Sequence, residues 1–264
     1  MNIGIYTRRQ DDSDTMASIE QLTAAMRRRS ITPIEVTDHL PDQPIDFLLS
    51  VGGDGTMLSS LHIIRDSGVP VVGINFGHLG FLTTAGRDDT ELLVDNLANG
   101  RYTIEQRTLI DIAYDDFHTI ALNEVVLHRF INAEMLRTGV YVGNELVGTY
   151  AGNGVIVATP TGSTAYSLSC GGPILTPDCG CFVVTPIAAH TLTLRPIIVP
   201  DSATLRLVTD AEHPELHLNL DSRQTTIGGG KTITIRRADF SISLVRMQDQ
   251  SFFTAIRQKL MWGR

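Results

Sequence analysis

Residues 45–56 read Ile45-Asp46-Phe47-Leu48-Leu49-Ser50-Val51-Gly52-Gly53-Asp54-Gly55-Thr56, and the change of texture inside that stretch decides the fold. The apolar run up to Val51 has the character of a strand covered on both faces, and the glycines end it. Met57, Leu58, Leu61 and Ile64 then recur at helical spacing. A strand that passes through a glycine turn into a helix is one unit of a parallel α/β sheet. The flanking sequence repeats that unit. Asn2 to Thr7 predicts a strand, Asp14 a cap for a helix with Met16, Ile19, Leu22 and Met26 on one face, and Ile34 to Val36 a second strand. Beyond the quoted stretch, Val69 to Ile74 predicts a strand, and Asp88 to Ala98 a helix that stops at Asn99-Gly100. Residues 1–100 are therefore expected to form an N-terminal α/β domain with a mostly parallel sheet.

From Tyr102 the pattern changes to alternation with period two. Leu216, Leu218 and Leu220 alternate with polar neighbours, and Ile233 and Ile235, then Phe240, Ile242 and Leu244, repeat the alternation across Arg237-Ala238-Asp239. Residues 101–245 are expected to form a β-rich, β-sandwich-like C-terminal domain. Phe252, Ile256 and Leu260 predict a last helix, and 246–264 are expected to pack back on the first domain. The fold class is α/β.

Composition excludes several functions. The 264 residues are 42% hydrophobic and 19% charged, which is a globular balance rather than a disordered one. The net charge is −8, the only lysines are Lys231 and Lys259, and no basic stripe exists, so nucleic acid and anionic membrane are poor partners. Phosphate binding by this chain would have to come from backbone N–H groups, single arginines and a divalent cation. No apolar run is long enough to span a bilayer, and the opening residues lack the apolar core of a secretion signal, so a cytoplasmic location is expected. Cys170, Cys179 and Cys181 lack the paired spacing of a zinc site and read as reduced thiols. His213 and His217 stand four apart, but Pro214 argues against a helical metal face.

Three segments carry chemistry. Gly52 to Thr56 brings several N–H groups to the start of a helix, an anion cradle, and Asp54 in its middle would repel phosphate unless a cation or a substrate hydroxyl lay beside it. A turn shaped only for geometry is the alternative. The segment is neither a P-loop nor the G-x-G-x-x-G dinucleotide fingerprint. Thr159 to Pro173 (Thr-Pro-Thr-Gly-Ser-Thr-Ala-Tyr-Ser-Leu-Ser-Cys-Gly-Gly-Pro) is dense in hydroxyls and small residues, suited either to close hydrogen bonding of a polar ligand or to a structural turn. Asn123-Glu124 ends a short apolar stretch; amide plus carboxylate suits an adenine edge or ribose hydroxyls, and equally a strand edge.

These segments, with Gly73 to Phe81 (Gly-Ile-Asn-Phe-Gly-His-Leu-Gly-Phe) and Leu220-Asp221-Ser222-Arg223, stand in the order found in NAD kinases, and over nearly its whole length the chain resembles that family. Gly-Gly-Asp-Gly-Thr alone is shared with diacylglycerol and sphingosine kinases and resembles a phosphofructokinase motif; the Pro160 to Tyr166 run is far more specific. The resemblance implies phosphoryl transfer from ATP or polyphosphate to the adenosine ribose 2′-hydroxyl of NAD, with Mg²⁺ or Mn²⁺. It makes Asp54 the catalytic proton acceptor, with Gly52, Gly53, Gly55, Thr56 and Phe81 around it. It makes Asn123, Glu124, Asn153, Thr161, Thr164, Ala165, Tyr166, Ser167, Leu168 and Ser169 ligand-binding residues, with looser matches at Ala188, Asp221 and Arg223. It implies NAD at the interface of the two domains and a homo-oligomer, dimer or tetramer. Asn153 is a departure, because the family usually carries an aspartate there. Two other readings remain at this point: a lipid or sugar kinase sharing the glycine cradle, and a dinucleotide sensor that binds without transfer.

Overall fold

The computed structural model describes every residue except 10, 76–79, 87–88, 131–133, 213–214, 248–250 and 264. The chain divides into two compact units, one of Met1–Gln106 with Ile242–Arg264 and one of Arg107–Ser241.

The first unit begins with β1 (Asn2–Tyr6), α1 (Ser13–Arg28), β2 (Thr32–Glu35), β3 (Phe47–Val51), α2 (Asp54–Ile64), β4 (Val71–Ile74) and α3 (Thr90–Ala98). The strands lie in the order β2-β1-β3-β4, all parallel. All five residues of β3 are buried, as the quoted stretch requires. Phe47, Leu49 and Val51 pack with Leu22 and Met26 of α1 and Leu93, Val94 and Leu97 of α3. The alternate face of β3 is left to α2, which buries Met57, Leu58, Leu61 and Ile64. One expectation is corrected: the cap of α1 is Asp12, not Asp14, because its carboxylate accepts from the Thr15 N–H while Asp14 lies within the first turn. The strands expected at 34–36 and 69–74 run over Thr32–Glu35 and Val71–Ile74, and the helix expected from Asp88 begins at Thr90, Asp88 itself lying outside the described residues.

Then follow β5 (Tyr102–Tyr114), β6 (Phe117–Ala121), β7 (Glu124–Arg129), β8 (Leu136–Val142), β9 (Glu145–Gly152), β10 (Gly154–Ala158), the short α4 (Tyr166–Ser169), β11 (Cys181–Ile187), β12 (Ile197–Pro200), β13 (Leu205–Thr209), β14 (Leu216–Leu220), β15 (Arg223–Ile227), β16 (Thr232–Met247) and α5 (Phe252–Lys259). In the second unit, β12-β11-β10-β7-β14-β15 form one antiparallel sheet. Opposite it lie β16, β13, β8 and β9, with β5 and β6 as a hairpin. Side chains from both layers, among them Val125, Leu127, Val155, Phe182, Leu207, Leu218 and Ile235, fill the space between. The outer face of the first sheet is covered too: Val126, Ile156, Ala158 and Val183 pack against Leu175 and Cys170. That second layer of packing holds the hydroxyl-rich segment onto the sheet. β16 runs unbroken through Arg237-Ala238-Asp239, its alternation slipping by one position at the exposed Arg236-Arg237 pair. Its last part returns to the first unit, where Leu244 pairs in parallel with Val71.

Candidate active site

In the first unit two glycine loops meet. The Gly52 N–H donates to the Ile74 carbonyl at 2.7 Å, the Asn75 N–H to the Ala85 carbonyl at 2.9 Å, and the Thr84 N–H to the Gly73 carbonyl at 2.7 Å. Gly52 has φ +150°, and a Cβ there would lie 2.2 Å from Thr56 Oγ1, so glycine is required on both counts. α2 starts directly after, with Gly53 as its cap residue and no side chain capping it. Asp54 sits in the first turn, half-buried, with Gly55 exposed and Thr56 buried. Its donors come from the second loop rather than from its own glycines. The Phe81 N–H reaches Asp54 Oδ2 at 3.1 Å and the Leu82 N–H reaches Oδ1 at 3.2 Å. Among the described residues, each carboxylate oxygen thus accepts one backbone N–H. Gly80 makes the approach possible, since a Cβ there would stand 1.9 Å from Asp54 Oδ1. Phe81 is fixed in turn: its carbonyl accepts from Arg246 Nη2 at 2.9 Å, and Lys259 Nζ of α5 lies 4.6 Å from its ring centroid. Residues 76–79 of the Gly73–Phe81 segment lie outside the described residues.

In the second unit the segment after β10 folds onto the residues before β7. Thr161–Thr164 form a 3-10 turn and α4 follows at once. The Thr159 N–H donates to the Asn123 carbonyl at 2.9 Å and its hydroxyl to the Leu122 carbonyl at 2.5 Å. Gly162 lies so close to Asn123 that a Cβ would fall 2.0 Å from its carbonyl oxygen. Ser163 is tied to Pro160 and Leu175, Thr164 to the Thr161 carbonyl, and Ser167 to Thr185. These hydroxyls build the loop. Thr161, Ser163 and Ser167 are buried, Thr164, Ala165 and Leu168 are half-buried, and the Tyr166 ring and Ser169 are exposed.

Asp221 anchors the same place from the β14–β15 turn. With φ +54°, it turns its carboxylate to accept from Leu122, Asn123 and Glu124 N–H at 2.8, 2.7 and 3.1 Å. It thereby fixes the backbone that presents Asn123 and Glu124. Arg223 donates to Thr119 Oγ1 and the Ile120 carbonyl, holding the neighbouring hairpin. Glu124 is only 7% exposed, and its fully buried Oε2 has no hydrogen-bond partner among the described residues. Burial, and then the Asp221 carboxylate, push its carboxyl up to about 8, opposed by the Tyr166 N–H that donates to it.

Asn153 and Ala188 belong to another part of the unit. Gly154 pairs with His128, whereas Ala158 pairs with Glu124, so five residue steps, roughly 17 Å, separate Asn153 from the position opposite Glu124. Asn153 is exposed and its Oδ1 accepts from Arg129 Nε at 2.9 Å. Ala188 is beside it, at φ +44°, its carbonyl 2.9 Å from where a Cβ on Gly152 would stand. His217 lies on β14, stacked on Phe130 with ring centroids 3.6 Å apart; His213 lies outside the described residues. All three cysteines are free thiols.

Residues 5–102 match the family model described as the ATP-NAD kinase N-terminal domain, and residues 122–247 match the ATP-NAD kinase C-terminal domain. The chain belongs to the NAD kinase family. It is 39% identical to the NAD kinase of Flavobacterium johnsoniae over 84% of this chain and 78% of that one. It is 40% identical to the NAD kinase of Porphyromonas gingivalis over 86% of this chain and 80% of that one. A solved yeast NADH kinase complexed with NADH has the same fold, with a TM-score of 0.89 at 22% identity over 100% of this chain and 88% of that one. An NAD kinase from Archaeoglobus fulgidus in complex with ATP superimposes with a TM-score of 0.81 at 25% identity over 99% of each chain.

Within this NAD kinase family member, sequence reasoning missed Leu82 behind Asp54 and Arg246 behind Phe81, while Gly80, Thr159 and Gly162, which support Asp54 and Asn123, lie in segments it singled out without showing these contacts. Each is far along the chain from the residue it positions, so the contact itself leaves no local mark. The buried Glu124 also sets a pH dependence. Its ordinary value is near 4.5, so between there and about 8 the folded chain keeps a proton that the unfolded chain has lost. The stability this group contributes is full at the acid end of that window and is lost as pH rises through it, at no more than about 1.4 kcal/mol per pH unit. Asp221, Tyr166 and Cys170 face the same carboxyl and are raised with it by burial. Glu124→Gln is expected to flatten the fall in stability across this window in urea denaturation, and an unchanged slope would place the titration elsewhere.

Proposed function

We propose that the chain is an ATP-dependent NAD kinase, transferring the γ-phosphoryl group of ATP to the adenosine ribose 2′-hydroxyl of NAD. The observation that carries this reading is the Asp54 carboxylate, fixed at the first turn of α2 by two loop amides, one on each oxygen. A free aspartate is far too weak a base to ionise a ribose hydroxyl beforehand. It need not do so, since phosphoryl transfer passes through a loose transition state in which the nucleophile's proton departs late. The 2′-oxygen forms its bond to the γ-phosphorus, the bond from that phosphorus to the β,γ-bridging oxygen breaks, and Asp54 takes the hydroxyl proton. The start of α2, with Gly53 and Gly55, offers N–H groups and a positive dipole end to the transferred phosphate, with Thr56 held by its own N–H bond to the Gly53 carbonyl at 2.9 Å. Asp54 adds a negative charge there, which a divalent cation on the triphosphate offsets. Mg²⁺ or Mn²⁺ would come with the donor phosphates and supply that positive charge.

Asn123, Glu124 and the loop from Thr161 through Thr164 to Ser169 take the adenosine side of NAD, with the exposed Tyr166 ring as a stacking surface for the base. Gly52 and Phe81 complete the surroundings of Asp54, and Asp221 and Arg223 act from behind. Asn153 and Ala188, about 17 Å along the sheet, serve the nicotinamide side. There the Asn153 amide accepts from Arg129 Nε without adding charge, whereas an aspartate would bring a negative charge to the same place. The nicotinamide ring is cationic only in the oxidised form, so Asn153→Asp is expected to lower KM for NAD relative to KM for NADH. Equal KM values for both forms in both proteins would remove this assignment.

A coupled assay for NADP, run with NAD, ATP and Mg²⁺ and repeated with polyphosphate and with a lipid or sugar acceptor, tests the reading. NADP formation supports it, and phosphorylation of another acceptor alone would overturn it. Tight NAD binding without turnover on any donor would instead favour the sensor reading. No described helix is long and apolar enough to cross a membrane. A cytoplasmic homo-oligomer is part of this proposal, supported by the edge strand β12, which exposes Ile197 and Ile198.

A further inference from the structure

On the outer face of the antiparallel sheet of the second unit, two histidines stand directly opposite each other. His217 of β14 pairs with His128 of β7, and the imidazole centroids are 5.0 Å apart at an interplanar angle of 38°. His128 shares that face with Val126, and His217 shares it with Asn219, because side chains two apart on a strand point the same way. In the sequence His213 is the near neighbour of His217; the sheet gives His217 a different partner, from a distant strand.

Each ring is held at one nitrogen. His128 Nδ1 lies 3.2 Å from the Arg129 carbonyl, which can only accept, so Nδ1 carries the proton and Nε2 keeps its lone pair. His217 Nδ1 lies 2.6 Å from the side-chain amide of Gln224. A half-turn of that amide presents its oxygen as the acceptor and leaves His217 Nε2 with its lone pair as well. A ring fixed through Nδ1–H and bare at Nε2 is a form in which histidine binds a metal. The spacing agrees: an ion about 2.1 Å from each Nε2 lies about 3.2 Å from each ring centre, and a tetrahedral angle between them sets the centres roughly 5.2 Å apart. Phe130 stacks on the face of the His217 ring, with centroids 3.6 Å apart, a contact that does not use the lone pair in the ring plane.

A second observation points to the same ligand. Asn219 Oδ1 is fully buried with no hydrogen-bond partner among the described residues, and its side chain stands beside His128. A buried acceptor without a donor costs free energy, which a cation would relieve. We propose that His128, His217 and Asn219 Oδ1 bind one divalent transition-metal ion of the zinc or copper class. Imidazole nitrogens select such ions over Mg²⁺, so this ion is distinct from the one that accompanies the donor phosphates. Among the described residues no three of His, Cys, Asp and Glu gather at one place, so the third ligand is an amide and water completes the shell. The Arg129 guanidinium, which donates to Asn153 and to the Phe130 carbonyl, adds positive charge nearby, and no carboxylate pairs with either ring among the described residues, so the affinity is modest. The ion ties β7, which begins at Glu124, to β14, which leads into Asp221.

Calorimetric titration of the full chain with Zn²⁺ and with Cu²⁺, in buffer containing Mg²⁺, tests the site. One ion per chain is expected, Cu²⁺ bound more tightly than Zn²⁺, with Kd for Zn²⁺ on the order of 10 µM. His217→Gln is expected to weaken Zn²⁺ binding about tenfold or more, and so is Gln224→Leu, which touches no metal and removes only the bond that orients His217. His39→Gln, an exposed histidine of the first unit, and the double variant Cys179→Ser, Cys181→Ser are expected to bind as the wild type does. Electron paramagnetic resonance of the Cu²⁺ form should show nitrogen hyperfine splitting from two imidazoles in the wild type and from one in His217→Gln, a signature that a packing change would not produce. Thermal unfolding without metal checks that each variant folds, and should His217→Gln fail to do so, Gln224→Leu at its exposed position decides. Unchanged affinity in the His217 or Gln224 variant would overturn the site. Loss of binding in the cysteine variant would do the same by placing the ion on the thiols, and so would a wild-type chain that takes up neither ion.

Discussion

Asp54→Asn is expected to lower kcat about 10²-fold or more while NAD binding survives. The asparagine keeps the size and the helix position but can no longer accept a proton at neutral pH. It also meets the two loop donors differently. The carboxylate accepts from both Phe81 and Leu82 N–H, whereas an amide has one oxygen for two donors and turns its own NH₂ toward the other. A modest loss of stability, on the order of 1 kcal/mol at this half-buried position, should accompany the kinetic effect. The two effects are separable by a second substitution. Gly80→Ala leaves the carboxylate in place but drives a methyl group toward Oδ1, where the present separation from an ideal Cβ is 1.9 Å. It should reduce kcat by displacing a chemically intact Asp54. Steady-state turnover with thermal unfolding of each variant provides the check, and near-normal kcat in Asp54→Asn would remove that residue from the chemistry.

Gly162→Ala carries the second large effect. The new methyl would sit 2.0 Å from the Asn123 carbonyl oxygen and 2.7 Å from its Cα, both backbone atoms, so the loop and the strand start must move apart. Separation breaks the Thr159 bonds to Leu122 and Asn123 and carries Thr161 to Ser169 away from Glu124. KM for NAD is expected to rise about tenfold or more, with a loss of stability of roughly 1–3 kcal/mol from overpacking. KM for ATP should stay within about twofold, since Gly162 belongs to the second unit and the donor is assigned to the first. Unchanged KM for NAD in a folded Gly162→Ala protein would detach this loop from the dinucleotide.

What the sequence by itself determined is the part written in local order. A strand buried on both faces, two glycines, an aspartate and a helical pattern are adjacent in the chain, so the β3–α2 unit and the place of Asp54 could be read without neighbours. The period-two runs at Leu216–Leu220 and Ile233–Ile235 likewise declared strands. The cap of α1 was misplaced by two residues because Asp12 and Asp14 are chemically alike, and only the folded turn decides which carboxylate meets the Thr15 N–H. Tertiary structure alone decided the supports of the site. Phe81 and Leu82 are 27 and 28 residues from the carboxylate they hold, and Asp221 is 97 to 99 residues from the amides it accepts. Such bonds leave no periodic trace, since one polar residue in a turn looks the same whether it faces water or a distant loop. The raised carboxyl of Glu124 was equally invisible, because a pKa belongs to the burial and charges around a group, and these exist only after the sheet and the Thr159–Pro173 segment have closed over it.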